Sequence, residues 1–583
     1  MSDPVLNLAA PPSLGWIDLG MFALMLAMSA FIGVYFGLSK KQDTAKEYLM
    51  GGKSMGMLPV SISLIASFVS GITLLGVPAE MYQHGTQYSA AAISFVLIGW
   101  TTATIFLPIY SKLGISSSYE YLELRFNKKV RRLCSVMYAI ALMFYIPVVI
   151  YVPALAFSQV TGINVHVVTP ITCLVCIFYT TLGGLRAVVW TDALQTLIMM
   201  AAIIFVMTLG AEKLGGWGRV WQINEAGDRL RFFNMDPDPF RRQSFWSVVV
   251  GVYFMFLADC ATGQSFVQRY LSVPDLKTAT KTVVIFAIGL VGTLLLSVAN
   301  GLLVYASYAD CDPIISQRAS KPDQLLPLFV MDVAGHIPGF TGLFIAGVFS
   351  AALSSMSTGL NSLAGVLVQD LFAGYLSPRI STGTWLKTMA ALLGFISVGL
   401  VYVVENLGGV LQSILSLNGV TSGPMLGLFV LGMFFPSANS KGALAGSLIS
   451  LFAVGFVVFG AQFAQHTGAL VHKALPVSVE NCTYAAGNFS LGQQHHRDDI
   501  FEEDNDDVWP ILKLSFTYYT LLGLVIVLVV GNLVSILCKE ADSKSKPINR
   551  DLFCPLVHRF LPPDSEQEAS PAEKEELMPT LQR

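Results

Sequence analysis

Residues 61–82 read SISLIASFVSGITLLGVPAEMY. The run is apolar enough to lie in a bilayer, yet Gly71, Gly76 and Pro78 punctuate it, and each of them weakens a helix. An unpaired carbonyl in hydrocarbon costs several kcal/mol unless it lines a cavity or is buried in protein. Transporters use such breaks to hold Na⁺ with main-chain oxygens. A kink satisfied by neighbouring helices is the plain alternative. The choice turns on what the rest of the chain is and on what faces the break.

The composition settles the class. Of the 583 residues 54% are hydrophobic and 13% charged, against about 25% charged in an ordinary soluble domain. Many separated apolar runs, each of about 20 residues, predict an all-α polytopic membrane protein. They lack the alternation of membrane-barrel strands. About 13 transmembrane helices are expected, near 16–38, 57–82, 88–110, 133–158, 166–182, 187–210, 245–268, 282–308, 339–371, 386–404, 408–434, 442–465 and 510–537. No basic arm points to nucleic acid, and no HExxH, GxSxG or Walker loop points to an enzyme.

Basic loops resist translocation. With the N-terminus outside and the C-terminus inside, the inner loops and tail hold 24 of the 35 Lys and Arg. The two Asn-x-Ser/Thr sequons, at Asn481 and Asn488, then fall in an outer loop, 466–509, where glycosylation occurs. Cys311 and Cys482 fall outside as well, where pairing is chemically open to them. Cys173 and Cys176 lie within a span and read as packing. Residues 116–132 read as a short amphipathic helix at the inner interface. The tail, 538–583, reads as disordered.

Another polar stretch inside an apolar run is AALSSMSTGLN, residues 351–361. On a helix Ala351, Ser354, Ser355 and Thr358 share one face, with Asn361 a turn further on. Taken alone, a stripe of small and hydroxyl residues reads first as helix packing. Beside a broken helix it also supplies oxygens for a hard monovalent cation. A second interruption is FMFLADCATGQSFVQRYL, residues 254–271, with Asp259, Gly263, Gln264 and Gln268. The two broken spans are five apart, as an inverted repeat predicts.

Several stretches resemble the sodium/solute symporter family: SLIASFVSG (63–71), YEYLELRF (119–126), TLGGLRAVVWTDALQ (181–195), QSFVQRYLS (264–272), AALSSMSTGLNSLAGVLVQD (351–370) and GGVLQSILSLNGVTSGPMLG (408–427). LGVPAEMYQHGTQ (75–87) and VVIYVPALAFSQVTG (148–162) look like the branch of sodium-coupled monocarboxylate, multivitamin and iodide transporters. The resemblance covers roughly residues 16–540. It implies a LeuT-type 5+5 inverted repeat: a first segment and span (1–56), a first repeat (57–210), an outer loop (211–243), a second repeat (244–434), and two further spans within 435–537 before the tail. It implies Na⁺ held by carbonyls of Ala66, Val69 and Ala351 and hydroxyls of Ser354 and Ser355. Asp192 matches an acid near the sodium exit path; a paired structural carboxylate is the alternative. Thr73, Tyr145, Gln264, Ser416 and Asn418 would line the substrate cavity.

The expected activity is sodium-coupled symport of a small organic solute across the plasma membrane by alternating access. A monocarboxylate or vitamin-like anion is favoured by the resemblance. Two departures bear on that. The family has Asn or Asp where this chain has Gly263, and Asp259 lies outside the family pattern. An acid at mid-membrane costs about 2.5–3.5 kcal/mol on insertion scales, and a free carboxylate in the cavity repels an anion. A cationic, zwitterionic or neutral solute therefore stays open, as does a sodium-binding sensor or leak channel on the same scaffold.

Overall fold

The structure is a computed structural model that describes residues 15–39, 42–406, 410–470, 474–480, 482, 508–538 and 549–561. It is helical throughout, with no strand among the described residues. In chain order the helices are α1 (Trp16–Ser39), α2 (Ala45–Met50), α3 (Met57–Phe68), α4 (Gly71–His84), α5 (Ala91–Thr101), α6 (Leu107–Leu113), α7 (Glu120–Arg125), α8 (Lys128–Thr161), α9 (Val165–Lys213) and α10 (Trp217–Ala226). They continue as α11 (Val252–Leu257), α12 (Gln264–Tyr270), α13 (Leu276–Tyr308), α14 (Leu325–Ala334), α15 (Phe340–Val366), α16 (Thr382–Asn406), α17 (Val410–Phe434), α18 (Ser440–His466) and α19 (Tyr519–Leu537).

Among the described residues nine helices are long and apolar enough to cross a membrane, or up to eleven if each of two bent pairs is one span. The thirteen expected spans are more numerous for physical reasons. Helix α9 has 49 residues and would run about 74 Å if straight, over twice a hydrocarbon core. It breaks instead at Gly184 (φ 53°, ψ −153°), between the two spans expected at 166–182 and 187–210. A Cβ on Gly184 would also meet Tyr48 O at 2.8 Å.

Helix α15 is the axis of the molecule: nearly every residue along it is buried. It packs on α9, α8, α1 and α3. Helices α17, α18 and α19 form a second group joined through glycines. The Cβ positions of Gly423 and Gly442 would meet Gly523 Cα at 2.9 Å and Gly531 O at 2.3 Å, so these backbones are in direct contact.

Three expectations change. The break in 61–82 falls at Val69–Ser70, and Gly76 and Pro78 lie inside α4. Residues 128–132 begin α8, capped by Asn127, and only Glu120–Arg125 forms the short amphipathic helix. Part of the tail is ordered: residues 549–561 pack back onto the bundle, with Tyr121 donating to Leu552 O at 3.1 Å and Cys554 N–H to Met433 O at 3.0 Å. Leu552, Phe553 and Cys554 are buried there, because this stretch, unlike the remainder of the tail, is apolar. Cys311 and Cys482 are disulfide-bonded. Asn481, Asn488 and most of 466–509 lie outside the described residues.

Candidate functional site

At the end of α3 the Val69 N–H still bonds to Ile65 O at 2.9 Å. The next N–H, Ser70, turns to Phe68 O at 3.0 Å, so Ala66 O loses its regular i+4 donor. The Ser70 side chain then caps α4, accepting from Thr73 N–H at 3.4 Å. Val69, between the two helices, has φ −81° and ψ 85°. A helix that stops and restarts in this way frees main-chain oxygens without exposing them to lipid, since Ala66 and Val69 are 2% exposed.

Helix α15 presents its hydroxyls to this break. Ser355 Oγ lies 3.1 Å from Ala351 O and 3.4 Å from Ser67 O. Ser354 Oγ and Thr358 Oγ1 lie 3.2 Å and 2.9 Å from Ser67 Oγ. Main-chain oxygens of α3 and α15 and two serine hydroxyls thus converge, and none of them carries a net charge. Such an oxygen set suits a hard cation of low charge.

Asp192 lies next to this cluster, fully buried. It accepts from Ser63 Oγ at 2.6 Å and Ser67 Oγ at 3.4 Å, and it pairs with Arg269 at 3.3 Å. Arg269, 1% exposed, also donates to Ser63 O at 2.9 Å, Ser67 Oγ at 2.7 Å and Thr358 Oγ1. Asp192 is therefore a paired carboxylate. Its Oδ1, however, has no hydrogen-bond partner.

A cavity of about 600 Å³ extends from Ser67, Ser355 and Thr358 to Gln462, Leu512 and Phe516. These last residues lie at the face that carries the disulfide. Thr73, Tyr145, Asp259 and Asn418 all line the cavity. Asp259 sits on a π-turn, Ala258–Thr262, and Gly263 (φ −66°, ψ 128°) interrupts the helix just after it. Gln264 does not belong to the cavity. It is fully buried, accepts from Ser118 N–H at 2.7 Å and donates to Ser116 O at 3.1 Å. It begins α12, and its side chain is directed at the loop before α7. The Ser416 side chain lies outside the described residues.

Three groups were not singled out from the sequence. Ser63 and Ser67, four apart on α3, share the face toward Asp192. Arg269 is a lone guanidinium in an apolar run, which itself signals a buried partner. Glu80 and Arg242 form a bidentate pair on the cavity wall, at 3.1 Å and 3.3 Å.

The chain matches the family model described as Sodium:solute symporter family over residues 48–450. It is 39% identical to sodium-coupled monocarboxylate transporter 1 of Xenopus laevis, over 92% of this chain and 87% of the relative. It is 35% identical to the human sodium/iodide cotransporter, over 97% and 89%. Among solved structures, a Na⁺-coupled sialic acid symporter in a substrate-bound outward-open state superposes with a TM-score of 0.71. The identity is 24%, covering 90% of this chain and 98% of that one; this likeness bears on the fold.

Proposed function

The chain belongs to the sodium:solute symporter family, and from that premise we propose that it imports a small organic solute across the plasma membrane by alternating access. It is a sodium-coupled symporter, not an enzyme, and Na⁺ is its co-transported ion. The observation that carries the rest is the meeting of Ser354 and Ser355 with the broken end of α3. There Ala66, Val69 and Ala351 would supply carbonyls and the two serines hydroxyls. Asp192, with its free oxygen, would receive the ion on its way inward.

The cavity's course fits an outward-facing state if the disulfide face is outside. The excess of Lys and Arg in the opposite loops supports that orientation, and a disulfide suits the oxidising side. One charge moving through 100 mV yields about 2.3 kcal/mol, equivalent to nearly two decades of solute concentration at about 1.4 kcal/mol per decade. The relatives' names point to a small carboxylate as solute; Asp259 in the cavity wall opposes a free anion.

Expression in oocytes tests the reading. Sodium should evoke voltage-dependent charge movement before any solute is added, and Ser355→Ala should shift it to higher sodium. Tracer entry should then follow sodium in fixed proportion. Current without proportionate tracer would identify a leak channel; charge movement unchanged in Ser355→Ala would remove the sodium site.

A further inference from the structure

We infer that the solute carries a positively charged nitrogen and that Asp259 is the residue that selects it. The inference rests on the symporter reading and deepens it. Three charged residues line the cavity: Glu80, Arg242 and Asp259. Arg242 clasps Glu80, with Gln243 donating to the same carboxylate at 2.6 Å. That pair neutralises itself.

Asp259 has no such partner. Among the described residues no Lys, Arg or His forms an ion pair with it, and the sequence 405–417 contains none. Among the described residues its one side-chain hydrogen bond is from Asn418 Nδ2, at 3.5 Å. The inner part of the cavity therefore presents one net negative charge.

The walls around that charge are aromatic. Tyr138 and Tyr145 come from α8, and Phe256 from the turn before Asp259. Phe68, at the end of α3, packs on Phe256 with ring centroids 4.8 Å apart. A carboxylate in a cavity that aromatic side chains also line is chemistry suited to an organic ammonium, whose charge the rings attract. An anionic solute would meet repulsion from the carboxylate. The π-turn and the break at Gly263 hold Asp259 at this point, and such turns recur at functional sites.

Isosteric probes test this on the full chain in oocytes. Choline and 3,3-dimethylbutan-1-ol differ only in the charged nitrogen; so do betaine and 3,3-dimethylbutanoate. Sodium-dependent uptake of at least one ammonium probe should exceed that of its carbon isostere about tenfold or more. Asp259→Asn should abolish that preference while keeping surface biotinylation and sodium-evoked charge movement. Asp259→Glu should retain part of it.

Uptake of propionate or 3,3-dimethylbutanoate with exclusion of both ammonium probes overturns the inference but leaves the symporter intact. A preference that survives Asp259→Asn, or ammonium probes that neither enter nor alter the charge movement, overturns it too. Loss of charge movement in Asp259→Asn makes the residue an ion ligand instead. Absence of sodium-evoked charge movement in the unaltered chain defeats the symporter reading itself.

Discussion

Ser355 and Arg269 differ in what their loss would do. The Ser355 hydroxyl spans Ala351 O and Ser67 O, so its removal deletes a proposed sodium ligand without stranding a charge. Ser355→Ala should raise the sodium concentration for half-maximal uptake about tenfold, as the loss of one hydrogen-bond-like contact to a charge implies, with normal surface expression. Sodium titration of uptake checks this. Arg269 is a different case. Arg269→Gln leaves Asp192 buried and uncompensated, a cost of about 3–5 kcal/mol. It should sharply reduce surface expression, and the double variant Arg269→Gln with Asp192→Asn should restore much of it. Surface biotinylation of the two variants decides; equal loss in both would refute electrostatic pairing as the cause. For Asp259, an anion about 4 Å from its carboxylate would meet about 4 kcal/mol of repulsion at an effective dielectric near 20.

At the scale of elements, interruptions were legible from the sequence and their exact seats were not. The Gly-Pro pattern flagged the second span, but a proline four residues or more inside a helix is tolerated when its neighbours absorb the lost bond. Pro78 does so within α4, packed against Gly301 of α13. The actual break falls where Ser70 caps α4 and where α15 and Arg269 hold Ser67, and those tertiary contacts no local propensity records. The hydroxyl stripe was legible because its spacing is intrinsic to a helix. Gln264 was misplaced because the family motif gives its position in the chain and not the side it faces. Apolar patterning also could not show that residues 549–561 fold back, since they form only short turns. The glycine contacts among α17, α18 and α19 yield a prediction of their own. Gly423→Val would drive a side chain into Gly523 and Thr520 O, each 2.9 Å from the added Cβ. Overpacking of this kind costs about 1–3 kcal/mol. The variant should lose thermal stability in detergent by size-exclusion assay while the sodium half-saturation of the surviving protein stays unchanged.

For the whole molecule, the decisive asymmetry is between an open end and a closed one. The cavity reaches the disulfide face, where Cys311–Cys482 ties the loop after α13 to the segment after α18 and Arg229 donates to Pro476 O at 2.8 Å. The opposite face is closed by charge. Asp370, at the end of α15, pairs with Arg131 at the start of α8 and accepts from Ser117 and Ser135 at 3.0 Å each. Arg131 also holds Glu123 of α7 at 2.6 Å. If the cavity opens inward past this cluster, loosening the cluster eases that opening. Weakening it should therefore shift the resting population inward, and about 1.4 kcal/mol would change the ratio tenfold. A cysteine at position 73 reports the state, because Thr73 lines the cavity and the free cysteines among the described residues are buried except Cys538 beyond the far end of α19. Thr73→Cys should react with an impermeant thiol reagent from outside, faster in sodium. Adding Asp370→Asn should slow that labelling severalfold, with Arg131→Lys as a milder companion that preserves charge but loses the bidentate fork. Unchanged labelling in correctly inserted Asp370→Asn protein would mean that the cluster is a static tie between helices, and that the inner gate lies elsewhere.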